Sequence, residues 1–266
     1  MNIVLVHGIL GFSRKFGIDY FRGLPEHFRE KGFTVFVPEL DPTQGVAFRG
    51  GQLRDQILAA YSAGKLDPNQ NAHIIAHSMG GLDSRYILSP ANPSPIQDRV
   101  RSLTTISTPH RGSPIADVLD NPAALLPFPH LPFPSMPNLL EPALNALGIS
   151  LNGLRDLTSS ACQIFSEKYP DHPKVTYFSC AGSGRTRFPP TSAVFLPFYQ
   201  YISAATGEAN DGMVPVASAR WGNFDPTTWP GDHAEMIGYN LDNLASLPGF
   251  DYVAKYDEIV VRAAAL

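Results

Sequence analysis

A serine between small residues is the first feature of the sequence that could do chemistry. Ser78 lies in the segment 76–81, with the sequence AHSMGG, directly after an apolar run and directly before a helical pattern. On a tight strand-to-helix turn the serine hydroxyl is lifted above the end of the sheet, where it can act as a nucleophile. Such a turn is crowded and needs small neighbours, which Ala76 and Gly80 provide. A serine that merely caps a helix is the alternative interpretation.

A serine nucleophile needs a base and a carboxylate that orients the base. In nucleophile-elbow enzymes the chain order is serine, acid, histidine. His233 is the only histidine after the last clear predicted strand, so it is the candidate base. We favour Asp211, in the turn-forming segment NDGMVP, as the acid, although an aspartate there could simply stabilise the turn. Its rivals are Glu208, Asp225 and Asp232.

Acyl transfer also needs two backbone N–H groups aimed at the oxyanion of the tetrahedral intermediate. Met79 follows the nucleophile and supplies one candidate amide. Ile9 supplies the other, because it lies in the segment 7–11 (HGILG) after the first predicted strand. An ordinary glycine turn would give the same pattern. His7 precedes the nucleophile in the chain, so we interpret it as a structural hydrogen-bonding residue.

Alternating apolar strands and helical segments must position these residues. The pattern predicts strands at 2–6, 33–37, 72–76, 100–107 and 174–180, and helices around 17–31, 50–63, 79–88 and 158–168. Continuous apolar strands with helices between them indicate βαβ units. We therefore predict an α/β fold, with a mostly parallel central sheet flanked by helices, in one domain spanning residues 1–266.

Two apolar inserts interrupt this alternation. Residues 121–142 contain seven prolines, and Glu141 is the only charged residue between Asp120 and Arg155. A second uncharged stretch covers residues 188–207. We predict that residues 114–150 form a lid or cap and that 188–207 forms a second wall of the site, because long inserts in compact domains are usually functional. Packing as a fixed cap or as a dimer contact is the alternative.

The composition limits the partners. Of the 266 residues, 20 are Lys or Arg and 24 are Asp or Glu, which gives a net charge of −4. No basic run provides a nucleic-acid footprint, so we expect no nucleic-acid partner. No apolar run is long enough to span a membrane, and no signal peptide begins the chain, which predicts a cytoplasmic protein or a trimmed secreted one. For Cys162 and Cys180 we favour two buried thiols over one bridge.

Taken together, five segments resemble the bacterial triacylglycerol lipases of the α/β-hydrolase superfamily. They are VLVHGILGF (4–12), IAHSMGGLD (75–83), LTTISTPHRGS (103–113), NDGMVPV (210–216) and DHAEMIG (232–238). They occur in the family's order along nearly the whole chain. The resemblance implies a triad of Ser78, Asp211 and His233, an oxyanion hole of the Ile9 and Met79 amides, and a mobile lid. Many relatives also hold a structural calcium ion, for which Glu235 and Asn240 are candidate ligands here.

These observations predict a serine ester hydrolase that acts on lipid esters, contacts the lipid–water interface transiently and requires no cofactor. An acyltransferase or polyester depolymerase with the same triad is one alternative, and a short-chain carboxylesterase is another. A binding protein on the same fold is a third, although it would have no reason to keep the three residues together. The sequence makes no prediction of the oligomeric state.

Overall fold

The computed structural model describes residues 1–9, 19–121, 152–186 and 191–266 of the chain. Its strands are β1 (Asn2–Val6), β2 (Thr34–Phe36), β3 (Ala72–His77), β4 (Val100–Ile106), β5 (Thr176–Cys180) and β6 (Asn223–Phe224). They form one sheet in the order β2-β1-β3-β4-β5-β6. Every neighbouring pair is parallel. The predicted α/β class with a mostly parallel sheet is therefore confirmed.

Helices cover both faces of the sheet. In chain order they are α1 (Leu24–Glu30), α2 (Val46–Ser62), α3 (Gly80–Leu88), α4 (Pro114–Asp120), α5 (Asn152–Arg155), α6 (Ser159–Lys168), α7 (Leu196–Thr206), α8 (Val216–Ala219) and α9 (Tyr252–Ala264). Short 3₁₀ turns occur at Pro95–Asp98 and Glu235–Ile237. No helix in the described ranges is long and apolar enough to cross a membrane.

Alternation along the central strands divides the core in two. In β1, Ile3 and Leu5 face the cluster formed with α1 and α9, whereas Val4 and Val6 face the cluster formed with α2 and α3. All four side chains are fully buried. A strand buried on both faces reads as a continuous apolar run, which explains why the first strand is so clear in the sequence.

The register brings the carboxyl ends of the central strands to one edge. Val6 pairs with Ala76, His77 with Ile106, and Ile106 with Cys180. The loops that follow β1, β3, β4 and β5 therefore meet at that edge. In open parallel sheets, ligands bind outside the carboxyl ends of the strands, so this edge is where a site is expected.

The structure corrects several predicted boundaries. The helix predicted around 17–31 begins only at Leu24, after Gly23 in the left-handed conformation (φ 66°). The helix predicted at 50–63 begins earlier, at Val46. The strand at 174–180 is not the last one, because β6 pairs with β5 through Phe178 and Asn223. A two-residue strand is too short to give an alternation pattern, so the sequence did not reveal it.

The two predicted inserts are described in part. Residues 114–120 of the first form α4, whereas 122–151 lie outside the described residues. Most of the second forms α7, with 188–190 outside the described residues. Ile115 and Val118 of α4 pack against Tyr201 and Ile202 of α7, so the described parts of the two inserts share one apolar cluster. Their roles as lid and wall remain predictions.

Both cysteines are free and buried, as expected. Cys162 lies in α6 and Cys180 ends β5. Burial raises the pKa of the Cys162 thiol to about 12 and that of Cys180 to about 11.

Candidate active site

Ser78 occupies a strained turn between β3 and α3. Its φ of 56° lies in the left-handed region, which residues with a Cβ adopt only at a cost. Two hydrogen bonds hold the turn in place: Ser78 N–H donates to Ile106 O (2.9 Å), and Thr108 Oγ1 donates to Ser78 O (2.7 Å). The strain and the two anchors are what a nucleophile elbow requires.

Close packing explains the two glycines after the turn. A Cβ on Gly80 would lie 2.7 Å from Val6 O in the neighbouring strand. A Cβ on Gly81 would lie 2.2 Å from Thr108 Oγ1. The start of α3 can thus approach the sheet only because both residues lack side chains. This is the physical reason for the small residues that the sequence pattern contains.

His233 and Asp211 form the hydrogen-bonded pair that the sequence analysis placed together. His233 Nδ1 lies 2.8 Å from Asp211 Oδ2. The His233 side chain is 12% exposed and that of Asp211 is fully buried. Asp211 Oδ1 accepts from the backbone N–H groups of Met213 (2.9 Å) and Val214 (2.8 Å), so the carboxylate is fixed as an acceptor.

Two of the three rival acids accept hydrogen bonds elsewhere, and the third, Glu208, is exposed. Asp232 accepts from the Ser192 hydroxyl (2.7 Å) and backbone amide (2.9 Å). Asp225 accepts from the backbone N–H of Thr227, two residues on. Asp211 is therefore the candidate acid that contacts the imidazole of His233.

The His233 ring lies against the residue that precedes the nucleophile. Its centroid is 4.5 Å from that of His77 and 6.3 Å from that of Phe195. Since His77 is bonded directly to Ser78, the candidate base is beside the elbow. Phe195, at the start of the helix of the second insert, lies beside the base in an edge contact.

The loop after β1 also touches the nucleophile. A Cβ on Gly8 would lie 2.7 Å from Ser78 Cβ and 3.1 Å from Ser78 Oγ, so this backbone approaches the serine as closely as packing allows. Ile9 follows directly, as the predicted oxyanion amide requires. His7 has the structural role expected: its Nδ1 bonds to Gly8 O (2.8 Å) and its Nε2 accepts from Leu40 N–H (3.1 Å). Burial, with Arg49 nearby, lowers the pKa of His7 to about 4.

Sequence reasoning missed a buried ion pair beneath this loop. Arg49 of α2 and Asp83 of α3 are both fully buried, with Nη2 and Oδ2 2.8 Å apart. Arg49 also donates to His7 O (2.8 Å) and Gly8 O (3.3 Å). Burial raises the pKa of Asp83 to about 6, against the pull of Arg49. The pair joins the loop after β1 to the helix that follows the nucleophile.

A second missed contact lies above the elbow. Tyr20 Oη is 2.8 Å from His77 Nδ1, and its ring also packs against that of His7 (5.5 Å). The sequence offered no spacing signal for this pair, because 57 residues separate the two side chains. A histidine next to the nucleophile was the only feature that could have drawn attention to it.

The two candidate calcium ligands, Glu235 and Asn240, both have protein partners. Glu235 is buried and faces Arg185, with Nη2 and Oε2 3.6 Å apart. It also accepts from the backbone N–H of Asp232 (2.9 Å). Asn240 Oδ1 closes its own turn by accepting from two backbone amides. Both side chains thus have protein partners, and the described ranges hold no cluster of three His, Cys, Asp or Glu residues suited to a metal.

The fold and the site define a class: an α/β-hydrolase with a serine elbow and a histidine–carboxylate pair. Comparison with known proteins agrees. Residues 44–121 match the family model of the PGAP1-like alpha/beta domain. The chain is 33% identical to a triacylglycerol lipase of Pseudarthrobacter phenanthrenivorans, across 90% of this chain and 89% of that one. It is 31% identical to triacylglycerol lipase 2 of Saccharomyces cerevisiae across 84% of this chain, and it spans 63% of that relative's length.

The chain belongs to the triacylglycerol lipase family, within the α/β-hydrolase superfamily. It is a serine ester hydrolase by this membership. The crystal structure of Staphylococcus hyicus lipase has a TM-score of 0.72 over 99% of this chain and 96% of that chain, with 19% identity. At that identity the likeness shows the fold.

Proposed function

We propose that the protein hydrolyses lipid esters through an acyl-enzyme on Ser78. The observation that carries the proposal is the 2.8 Å contact between His233 Nδ1 and Asp211 Oδ2, set beside the strained elbow of Ser78. A buried carboxylate bonded to Nδ1 keeps the imidazole proton there and leaves Nε2 free to take a proton from the nucleophile. These are the geometric requirements of a serine hydrolase.

The reaction then follows from the roles of these groups. Ser78 Oγ attacks the ester carbonyl carbon while His233 Nε2 removes its proton, and the carbonyl oxygen becomes an oxyanion. The backbone amides of Ile9 and Met79 stabilise that oxyanion. Collapse of the intermediate breaks the bond to the alcohol oxygen, which receives the proton from His233. Water, activated by the same histidine, releases the acid and restores Ser78.

The apolar surroundings support long-chain lipid esters as substrates. Phe195 lies beside His233 at the start of α7, and α7 packs against α4 through an apolar cluster. We propose that the insert at 114–150 covers this surface in water and uncovers it at a lipid–water interface, and that 188–207 lines the acyl pocket. Residues 122–151 lie outside the described residues, so this part of the proposal depends on their composition.

The test compares initial rates on p-nitrophenyl esters from acetate to palmitate and on emulsified triolein, with Ser78→Ala as the matched inactive variant. We expect turnover of long chains and triolein, and none with Ser78→Ala. Turnover confined to short soluble esters would leave a carboxylesterase and remove the lid assignment. Undiminished activity of Ser78→Ala would overturn the mechanism.

One further arm separates the transferase and depolymerase alternatives. Adding a primary alcohol to the palmitate assay partitions the acyl-enzyme between water and alcohol. A hydrolase gives mainly free acid, whereas an acyltransferase gives mainly the new ester. A polyester film tests the depolymerase alternative, because a depolymerase releases soluble acid from it.

Chelation by EDTA is included in all these assays, and we expect no loss of activity.

A further inference from the structure

The half-buried Tyr20 and the buried His77 form a hydrogen-bonded pair that the proposed mechanism does not use. Tyr20 Oη and His77 Nδ1 are 2.8 Å apart. The His77 side chain is almost fully buried, and the backbone of His233 acts on it by a hydrogen bond in addition to Tyr20. Such a buried ring would be costly to leave without these partners.

The pair touches three parts of the site at once. His77 precedes Ser78, and its ring lies 4.5 Å from that of His233. The Tyr20 hydroxyl and Ser78 Oγ both lie close to one point beside Gly8, at 2.9 and 3.1 Å from a Cβ built there. The phenol therefore contacts the loop that carries the Ile9 amide while bonding to the neighbour of the nucleophile. Tyr20 thus lies beside the oxyanion loop and the nucleophile, and His77 lies beside the base.

The protonation states of the pair are fixed by its burial. Burial, followed by the nearby His233, keeps the pKa of His77 well below its usual value, so this ring is neutral. Burial raises the pKa of Tyr20, so the phenol keeps its proton. The neutrality of His77 suits the reaction, because a charged ring 4.5 Å away would oppose the positive charge that His233 gains during attack.

We propose that Tyr20 and His77 are a positioning pair: the Tyr20 hydroxyl donates to His77 Nδ1, keeps the ring proton on Nε2 and holds the ring face against which His233 is oriented. The inference rests on the proposed function, since it assigns His233 as the base. We assign neither residue a bond-making or proton-transfer step. The pair acts through His233 and through the turn that carries Ser78.

The experiment removes one oxygen atom. Tyr20→Phe keeps the ring and its packing and deletes the donor to His77. Tyr256→Phe is the control, since Tyr256 belongs to the apolar cluster against which the half-buried Tyr20 packs, and its hydroxyl has no partner among the described residues. Both variants are assayed on p-nitrophenyl butyrate, a soluble ester, so that lid movement at an interface does not enter the rates.

We expect Tyr20→Phe to lower kcat about tenfold to hundredfold, as is typical when a partner that orients a catalytic group is lost, with KM within about twofold of the parent. The rate of phosphonylation of Ser78 by a p-nitrophenyl phosphonate should fall by the same factor. Titration with that reagent measures the concentration of active sites that can react. Rates are divided by that concentration, so partial unfolding of a sample does not lower the measured kcat. Tyr256→Phe should keep both rates.

A second variant makes the test independent of how well Tyr20→Phe folds. His77→Asn keeps a polar group near the position of Nδ1 but removes the ring beside His233, so it should lose kcat similarly. The double variant should be no slower than the slower single variant, because the two residues act as one unit. Full kcat in either single variant, or a loss confined to KM, would overturn the assignment. Those outcomes leave the proposed function intact, because it is tested separately by Ser78→Ala and by the series of ester substrates.

Discussion

The left-handed backbone at Ser78 gives a measurable prediction about stability. At φ 56° the Cβ of an L-residue is forced close to the carbonyl oxygen, which costs about 1–2 kcal/mol. Glycine has no Cβ and escapes this repulsion, although it loses more backbone entropy on folding, by roughly 0.5–1 kcal/mol relative to alanine. We therefore expect the free energy of unfolding of Ser78→Gly to be about 1 kcal/mol higher than that of Ser78→Ala. Both variants lack the hydroxyl, so both should be inactive.

Ser84 provides the matched control. It lies within helix α3, six residues after the elbow, and its hydroxyl donates to Gly80 O (2.7 Å). Ser84→Gly and Ser84→Ala lose the same hydrogen bond, but in a helix glycine is less stable than alanine by about 0.5–1 kcal/mol. The order of stability should therefore be opposite at the two positions.

Urea denaturation followed by circular dichroism measures the four free energies, and thermal scans give a second reading. For a chain of this size, 1 kcal/mol corresponds to a shift in Tm of roughly 2–4 °C. If Ser78→Gly proves no more stable than Ser78→Ala while the Ser84 pair behaves as expected, the strain is not present in solution. The account of Ser78 as a residue held in a costly conformation for its chemistry would then be wrong.

Three other perturbations follow from the contacts. Asp211→Asn should lower kcat by about 10⁴, because an amide favours the wrong imidazole tautomer, as steady-state rates on a soluble ester will measure. Gly81→Ala should destabilise the fold by about 1–3 kcal/mol in urea, because the new methyl group meets Thr108. Because the pKa of His7 is lowered in the folded chain, the contribution of this residue to the free energy of unfolding is fully present above about pH 6.5. It is lost progressively as the pH falls towards 4, since the unfolded chain takes up the proton first. His7→Asn should remove about 3 kcal/mol of that pH dependence.

Controls accompany each of the three. For Asp211→Asn, unchanged thermal stability is expected, and a kcat within tenfold of the parent would exclude Asp211 as the partner of His233. Gly51→Ala is the comparison for Gly81→Ala, because it lies in α2 with no heavy atom within 4 Å of the new methyl group and should stabilise the helix. For His7, equal slopes of stability against pH in parent and variant would contradict its burial as a neutral ring.

The order of motifs was enough to predict the fold and the candidate triad. Strands buried on both faces, such as β1 and β3, give unbroken apolar runs that are hard to mistake. Ser78, Asp211 and His233 were assigned by chain order and local turns, and the structure brings Asp211 and His233 into contact. Boundaries were less accurate, because the start of a helix such as α1 depends on Gly23 adopting a left-handed turn.

Contacts between distant segments could not be predicted. The Arg49–Asp83 pair requires α2 and α3 to pack side by side, and the Tyr20–His77 bond requires Tyr20, which precedes α1, to lie beside the end of β3. No pattern in the sequence predicts either of these contacts. The contact of Glu235 with Arg185 could not be predicted for the same reason, since Arg185 lies 50 positions earlier in the chain.

The two buried thiols have a practical consequence for studying the enzyme. Burial raises the pKa of Cys162 to about 12 and that of Cys180 to about 11, so both thiols stay protonated at neutral pH, and both residues are buried. We therefore expect thiol-alkylating dyes not to react with either cysteine of the folded chain. A cysteine introduced at Val194, which is 56% exposed and adjacent to Phe195, would accept a single fluorophore without removal of the native residues. The emission wavelength and anisotropy of that dye would report, in real time, changes in polarity and mobility beside His233 when lipid droplets are added.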